Sequence, residues 1–321
     1  MPNERACPVC KCTSYSHFSD ERIDSTQVGD FTYASRKTPE FMCFRLVCCI
    51  NCDLVYAPTP PTEEFSQEMY TNADYDSNSE ALYAARTYAD ELEKNLKNVA
   101  KRNAAIDVGT GSGPLLPFLQ TKGFHPVIGI EPSTAAIEAA PAAVRPLIRE
   151  GMFTSLMLDG VTPSLICSFM ILEHLNNPSD FVADAYNLLE SGGAIAVVVH
   201  NWRAPLNRLL GRRSPIIDIE HLQLFSPNSL QELLKKTGFI KIKICAIRNR
   251  YPIRYWLRLT PLPTSIKSFM INVLDTCKLS DYSLTLNVGN IFAIGLKPDD
   301  EVRSESASRR QAERQQSSQT E

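Results

Sequence analysis

Short apolar runs alternate with longer amphipathic segments between residues 104 and 298. The runs are AAIDV, PVIGI, SLICSF, AIAVVV, IKIKICAI and NIFAIG, and segments such as PLLPFLQTK, TAAIEAA and PSDFVADAYNLLE separate the earlier ones. Runs this short are typical of buried strands, and the segments between them have the length of helices. Strands that alternate with helices predict an α/β fold with a mainly parallel sheet, doubly wound by helices on both faces.

The flanking segments have different patterns. Before the α/β region, SEALYAARTYADELEKNLKNVAK carries apolar side chains three and four residues apart, which predicts an amphipathic helix. After it, residues 299–321 contain one valine and no other large apolar residue, which predicts a disordered tail. The chain therefore divides into a cysteine-rich module at 1–57, a linker and helix at 58–103, the α/β domain at 104–298 and the tail.

Composition excludes some classes of protein. Of the 321 residues, 44% are hydrophobic and 21% charged, and the formal net charge is −3. These values suit a globular protein, and a net charge so near zero gives no overall field that attracts nucleic acid or an anionic membrane. The sequence starts without a basic segment followed by a long apolar one, and it has no apolar stretch of about 18 residues. We therefore expect a cytoplasmic protein without a signal peptide or membrane span.

Three glycines follow the first strand of the α/β region, in the stretch IDVGTGSG. Gly109, Gly111 and Gly113 allow positive φ and let a ligand approach the backbone. Glu131 ends the next strand, where a carboxylate can accept both hydroxyls of a ribose. The dinucleotide fingerprint has its third glycine one residue later, and Asp107 would repel a pyrophosphate but can receive a cationic amine. The pattern therefore favours a smaller nucleoside over a dinucleotide.

This D-x-G-x-G-x-G pattern resembles motif I of the class I S-adenosylmethionine-dependent methyltransferases. MILEHLNNPSDFVADAYNLLESGGAIAVVV resembles their segment after the fourth strand. NWRAPLNRLLG and IEHLQLFSPNSLQELLKKTGF resemble a subgroup that has an N-terminal zinc ribbon and includes sugar C-methyltransferases. The resemblance implies a seven-stranded Rossmann-like sheet. It assigns the methionine moiety of S-adenosylmethionine to Asp107 and the glycine loop, and the ribose to Glu131.

The resemblance also implies an acceptor that is a small molecule or is carried on a larger one, with a sugar or sugar nucleotide as one class. Insertions at about 200–230 and 249–280 would cover its pocket. Three alternatives stay open: a non-catalytic scaffold that binds zinc and the nucleoside, an O-methyltransferase of quinone-like substrates, and a nicotinamide oxidoreductase, against which the glycine spacing and Asp107 argue. The chain departs from many relatives at Ser164, where they have aspartate, and the adenine contacts are assigned only to the candidates Glu150, Met152 and Phe153.

Glu173 and His174 follow the fourth strand, at the edge where a doubly wound sheet binds ligands. A histidine beside a carboxylate can act as a general base near neutral pH. The resemblance places this pair at the acceptor, as a base or, in quinone O-methyltransferases, as part of a divalent-cation site. That cation site has a further glutamate where this chain has Met170, which disfavours the metal.

A second Glu-His pair, Glu220 and His221, lies on the first insertion, and His221 is the other candidate base. His200, Asn201 and Trp202 leave the fifth strand at the same edge of the sheet. For His174 the alternative is a packed and hydrogen-bonded structural role, and a structural role is also the alternative for each residue named in this paragraph.

Seven of the ten cysteines lie within the first 52 residues. Two C-x2-C pairs, Cys7 with Cys10 and Cys49 with Cys52, supply the four thiolates of a closed, structural zinc site. Cys48, Cys12 and Cys43 are the alternatives for the fourth ligand, with Cys48 first because it neighbours Cys49. Basic residues do not interleave with aromatic ones in this module, so we expect no nucleic-acid partner. The module is expected to pack beside the catalytic domain and shape substrate entry.

The segment NRYPIRYWLRLTPLPTSIKSFMINVLD at 249–275 mixes aromatic, aliphatic and basic residues. A packed lid or an oligomer contact is the favoured interpretation, and a peripheral membrane element is the alternative. The sequence does not determine the oligomeric state.

Overall fold

The computed structural model describes residues 4–24, 26, 32, 40–73, 78–99, 101–260 and 262–299. The strands are β1 Tyr15–Ser19, β2 Leu46–Cys49, β3 Val55–Tyr56, β4 Ala104–Val108, β5 Val127–Glu131, β6 Ile148–Glu150, β7 Pro163–Phe169, β8 Ala194–His200, β9 Gln223–Leu224, β10 Ile240–Ala246, β11 Asn249–Pro252, β12 Ser283–Leu286 and β13 Asn290–Leu296. The α-helices are α1 Glu63–Thr71, α2 Asn78–Asn95, α3 Leu116–Thr121, α4 Thr134–Glu138, α5 Pro178–Leu188, α6 Pro205–Leu210, α7 Pro227–Thr237, α8 Ile253–Arg258 and α9 Thr264–Thr276. Except for its first residue, the predicted tail lies outside the described residues. Within those residues, no helix combines the length and hydropathy needed to span a bilayer.

The central sheet has seven strands in the order β10-β13-β8-β7-β4-β5-β6. The strands from β4 to β8 pair in parallel, and β13 is antiparallel to both of its neighbours, β8 and β10. From β4, the strand that precedes the glycine loop, the chain adds β5 and β6 on one side and then β7 and β8 on the other. The predicted Rossmann-like, mainly parallel sheet of seven strands is therefore confirmed.

Successive residues of the central strands point to opposite sides of the sheet, and both sets are mainly apolar. Helices therefore cover both faces of the sheet. On one face, Ile106 and Ile166 pack with the apolar residues of α5 and α7. On the other face, Ala105 and Leu165 pack with α2 and α3. Strands β4, β7 and β8 are buried along almost their whole length, as expected of strands covered on both faces.

A second sheet, in the order β1-β2-β3-β9, joins the N-terminal module to the α/β domain. Its first three strands come from residues 15–56, and β9 comes from the predicted insertion at 200–230. Val55 pairs with Leu224, and both are fully buried. The insertion therefore completes the module's sheet, and the two parts share one hydrophobic cluster.

The segment from β11 to β12 forms the other insertion. The two strands make an antiparallel hairpin that encloses α8 and α9. Helix α2 packs on β11, and α8 packs on α9. Helix α9 has no buried residue, so its apolar side chains do not contribute to the core.

Candidate active site

The loop between β4 and α3 carries the three glycines. Gly109, Gly111 and Gly113 have φ values of 68°, 58° and 73°, a region that residues with a Cβ rarely adopt. A Cβ added to Gly109 would lie 2.1 Å from Ile171 Cδ1, so the loop packs directly against the segment after β7. The N–H of Gly109 donates to Ile130 O at 2.8 Å. These contacts hold the loop between the carboxyl ends of β5 and β7.

Two buried carboxyl groups flank this loop. Thr110 donates its hydroxyl to Asp107 Oδ2 at 2.6 Å. Burial raises the pKa of Asp107 to about 7, against the effect of the Thr110 hydrogen bond. Glu131 accepts from Gly111 N at 2.7 Å and from Ser133 N at 3.0 Å, and burial raises its pKa as well. A nearby cation would favour the ionised form of either group.

A first cavity of about 400 Å³ opens beside Glu131. Its walls come from the glycine loop, the end of β5, the loop after β6, the loop after β7 and helix α1. Met152 and Phe153, two of the predicted adenine contacts, line it. Glu150 does not line it, and instead accepts a hydrogen bond from Thr134 Oγ1 at 2.8 Å.

A second cavity of about 540 Å³ lies on the other side of the loop. One end is polar and includes His174, His200, His221, Asp218, Glu220, Asn249 and Asn290. The other end is aromatic and aliphatic and includes Tyr88, Phe169, Tyr251, Tyr255, Trp256 and Leu259. The two cavities share the lining residues Gly109, Gly111, Met170, Ile171, His174 and Glu220. The glycine loop therefore stands where a ligand in one cavity meets a ligand in the other.

Three histidines from separate parts of the chain converge at the polar end. The ring centroids of His174 and His221 are 4.9 Å apart, and those of His200 and His221 are 5.3 Å apart. Nδ1 of His221 lies 2.9 Å from Ile216 O, and Nδ1 of His174 lies 3.1 Å from Glu220 O. A carbonyl oxygen only accepts, so the hydrogen bond to Ile216 O places the proton of His221 on Nδ1 and leaves its Nε2 as the basic nitrogen, whereas Nδ1 of His174 also lies 3.0 Å from Tyr70 Oη.

A model of the methyltransferase domain family matches residues 81–244, just over half of the chain. The matched span runs from α2 through the glycine loop to β10 and contains all three histidines. The chain belongs to this methyltransferase family. The predicted class I S-adenosylmethionine-dependent methyltransferase is confirmed.

Several solved structures are similar to the methyltransferase, whereas no curated protein matches it. An S-adenosylmethionine-dependent methyltransferase from Thermotoga maritima is 16% identical, with 67% of this chain and 91% of that chain covered and a TM-score of 0.43. The plantazolicin methyltransferase BpumL is 16% identical, with 74% of this chain and 91% of that chain covered and a TM-score of 0.46. Phosphoethanolamine N-methyltransferase 2 from Haemonchus contortus is 15% identical, with 66% of this chain and 52% of that chain covered and a TM-score of 0.42.

Glu173 of the methyltransferase does not lie beside His174 in the cavity. It is fully buried and lines neither cavity, and its Oε1 accepts a hydrogen bond from His200 N at 2.6 Å. Burial raises its pKa to about 8. The chain turns after β7, so that Glu173 points into the protein and His174 points out, and Glu173 does not reach the cavity wall where the resemblance placed it. Glu173 instead ties the segment after β7 to the end of β8.

Two other residues that the sequence places near the substrate also lie away from the cavities, as does Ser164, where the chain departs from many relatives. Asn201 and Trp202 line neither of them. Trp202 donates from Nε1 to Asp53 O at 3.0 Å, which directs it toward the N-terminal module. Ser164 is buried at the start of β7, and its hydroxyl donates to Ala104 O. The structural alternative describes these residues better than a substrate contact does.

Sequence reasoning did not find two polar residues that contact the histidines, Tyr70 in the first cavity and Asn290 in the second. Tyr70 Oη lies 3.0 Å from His174 Nδ1, and Asn290 Oδ1 accepts from His200 Nδ1 at 2.8 Å. Tyr70 lies in a polar stretch rich in Tyr, Asn and Asp, and Asn290 starts the last strand. Neither has a motif around it that indicates a site.

Arg5 and Gln223 connect the N-terminal module to the segment after β7. Arg5 donates to Ala57 O at 2.8 Å and also to Asn176 O. Gln223, on β9, donates from Nε2 to Leu172 O and Leu175 O at 2.5 and 2.6 Å. The module therefore supports the backbone of a segment that lines the first cavity.

Four cysteines of the module converge in its core. Cys7 Sγ lies 3.5 Å from Cys52 Sγ, Cys10 Sγ lies 3.4 Å from Cys49 Sγ, and all four sulfurs lie within 4.8 Å of one another. Four thiolates around zinc at about 2.3 Å would be about 3.8 Å apart, so the cluster is compatible with a metal site. A hydrogen bond from Cys52 lowers the pKa of Cys7 to about 5, while burial raises that of Cys49 to about 12. A cation is what would let all four ionise together.

The alternative ligands lie outside this cluster. Cys48 Sγ is directed toward Asp53 and Cys49 O, and burial together with Asp53 raises its pKa to about 11. Cys12 Sγ donates to Ser14 O, and Cys43 lies on the far side of the small sheet, near Asp20 O. Donors from the α/β domain contact the cluster's loops, since Lys236 Nζ donates to Cys10 O and Asn228 Nδ2 donates to Cys52 O.

Proposed function

We propose that the methyltransferase transfers a methyl group from S-adenosylmethionine in the first cavity to a small-molecule or carrier-linked acceptor in the second. The observation that carries the proposal is the junction of the two cavities at the glycine loop, with His174 in the walls of both. A reaction between two ligands needs such a meeting point, because alignment of the reacting groups supplies much of the rate acceleration.

The first cavity suits the nucleoside part of S-adenosylmethionine. Glu131 accepts two backbone hydrogen bonds and has further lone pairs for the hydroxyls of a ribose. Met152 and Phe153 offer apolar contacts for adenine. The glycine loop would hold the methionine moiety, with Asp107 beneath it as the counter-charge for the amine. When bound, S-adenosylmethionine supplies an electrophilic methyl group on a sulfonium centre.

The polar end of the second cavity suits deprotonation of the acceptor. His221 has Nδ1 held by a backbone carbonyl, so that its Nε2 can take a proton from a hydroxyl or from a carbon beside a carbonyl, and His174 is the other candidate base. Asn249, Asn290 and Asp218 add hydrogen-bonding groups of the kind that a sugar or sugar nucleotide needs. In this proposal Glu173 is a positioning residue, because it acts through the backbone N–H of His200.

We further propose that Cys7, Cys10, Cys49 and Cys52 bind structural zinc. Four protein ligands leave no open coordination position, so the metal would hold the module together and take no part in the transfer. All ten cysteines are free of disulfides, which is consistent with a reducing compartment such as the cytoplasm.

Calorimetric titration of the zinc-loaded protein with S-adenosylmethionine, S-adenosylhomocysteine and NAD⁺ tests the cofactor. We expect binding of the two adenosyl compounds alone, and about tenfold or more weaker binding in Glu131→Gln, which removes a charged acceptor. Glu138→Gln makes the same change at an exposed position on α4 and should bind as the wild type does. Binding of NAD⁺ alone would overturn the proposal in favour of a nicotinamide enzyme.

A further inference from the structure

Helix α9 directs an apolar stripe toward solvent. Ile266, Phe269, Met270 and Val273 follow the i, i+3, i+4, i+7 spacing of one helix face, yet they are 46%, 69%, 37% and 46% exposed. The same insertion also exposes Leu262, Leu279, Tyr282, Leu284 and Leu286. Together these nine side chains form what we call the α9 surface. Exposed apolar side chains grouped in one segment mark an interaction site more often than single scattered ones do.

The sequence around the α9 surface is strongly basic, although the whole chain is slightly acidic. Segment 248–286 carries four arginines and two lysines but only two aspartates and no glutamate. Arg254 pairs with Asp281 and Arg258 pairs with Glu80. Arg248, Arg250 and Lys278 are exposed as well. The net charge of −3 therefore hides a local positive excess beside the α9 surface.

The insertion that carries the α9 surface also lines the apolar end of the second cavity. Leu286 belongs to both, and the exposed Leu206 of α6 lines the same cavity. Trp256 of α8 and Leu259, which follows the helix, line the same cavity. A molecule that leaves the α9 surface therefore meets an apolar path that ends at the three histidines.

We propose that the α9 surface docks on an anionic lipid membrane, and that the acceptor is an amphiphile whose apolar part lies along the aromatic wall of the second cavity. The apolar stripe would enter the interfacial region, and the surrounding cations would face anionic headgroups. A second copy of the chain fits less well, because a symmetric dimer would place this positive excess against itself. The acceptor's class rests on the proposed function, whereas the docking does not.

Vesicle co-sedimentation of the full, zinc-loaded chain tests the docking. We expect binding to phosphatidylcholine vesicles with about 30% phosphatidylglycerol, little binding to phosphatidylcholine alone, and weaker binding as salt increases. Phe269→Ser should weaken binding about tenfold or more, because it removes the most exposed apolar side chain of the α9 surface. Leu156→Ser is the matched control, since Leu156 is 85% exposed beyond the opposite edge of the central sheet.

Equal binding of the wild type and Phe269→Ser would overturn the docking. So would the absence of vesicle binding together with a dimer that Phe269→Ser dissociates in light scattering, because a second copy would then cover the surface. S-adenosylmethionine titration of the same preparation separates the two proposals: retained cofactor binding without vesicle binding removes only the docking, and the reverse result removes only the proposed function.

The amphiphilic acceptor has its own test. Trp256 lines the second cavity, and Trp202→Phe leaves it as the single tryptophan of the chain. We expect monomeric dodecyl maltoside to shift the emission of Trp256 and maltose to leave it unchanged. An equal response to both, or a response to neither, would overturn the apolar path.

Discussion

Replacing Gly109 with alanine probes the contact between the glycine loop and the segment after β7. At φ 68° the backbone would cost an alanine about 1–2 kcal/mol. The new Cβ would also lie 2.1 Å from Ile171 Cδ1 and 2.8 Å from Ile171 Cγ1, and forcing extra volume into a packed site costs about 1–3 kcal/mol more. We therefore expect Gly109→Ala to lower the free energy of unfolding by about 2–5 kcal/mol. Since Ile171 lines both cavities, its displacement should also weaken S-adenosylmethionine binding.

Two further variants separate the backbone effect from the steric one. Gly160 has a similar φ of 76°, but a Cβ there would have no atom within 4 Å. Gly160→Ala should therefore lower the free energy of unfolding only by the backbone cost, about 1–2 kcal/mol, and leave the affinity for S-adenosylmethionine unchanged. In an Ile171→Ala background the steric part should disappear, so that Gly109→Ala costs about as much as Gly160→Ala. Urea unfolding and calorimetric titration measure both quantities. Equal destabilisation by the two glycine variants in the wild-type background would refute the reasoning.

The remaining predictions concern a buried carboxyl group, the cysteine cluster and a candidate base. Burial raises the pKa of Glu173 from 4.5 to about 8, so the folded state binds the carboxyl proton more tightly than the unfolded state. The free energy of unfolding should therefore fall as the pH rises from 4.5 to about 8, by up to about 1.4 kcal/mol per pH unit. Glu173→Gln should lack this pH dependence, so its free energy of unfolding, measured in urea, should exceed that of the wild type by a margin that grows with pH up to about pH 8. A margin that does not change with pH would contradict the burial argument. Cys52→Ser should lose the bound metal, about one zinc per chain by mass spectrometry, and lower the Tm, whereas Cys12→Ser should keep both; equal zinc content in the two variants would exclude the proposed ligand set. His174→Gln should reduce transfer of labelled methyl to an extract-derived acceptor by about 10²–10⁴ while S-adenosylmethionine still binds, and the exposed His125→Gln should not; unchanged transfer in His174→Gln would rule it out as the base.

The local patterns of the sequence were sufficient to predict the fold. The alternation of strands and helices, the glycine loop after β4 and the acidic residue at the end of β5 each depend on neighbouring residues. In a parallel sheet, these residues reach the same edge whenever their strands are in place. The two C-x2-C pairs were also predictable from neighbouring residues, because each pair needs only a tight turn to direct two sulfurs to one point. Periodicity and spacing describe such features well.

The tertiary structure decided what each polar residue faces. Glu173 and His174 are adjacent in sequence, yet one is buried against the end of β8 and the other lines both cavities. The convergence of His174 with His200 and His221 depends on the packing of three distant segments.

Packing between distant segments also determined the larger arrangements. The insertion around β9 reads as part of the α/β domain, but it completes the sheet of the N-terminal module. The composition of 249–275 favours a packed lid or an oligomer contact, and the structure shows that the apolar stripe of α9 points outward. Sequence by itself determined which elements form and which face of each is apolar, because those properties are local. Only the folded chain decided which faces meet one another, because that choice depends on the packing of all the elements together.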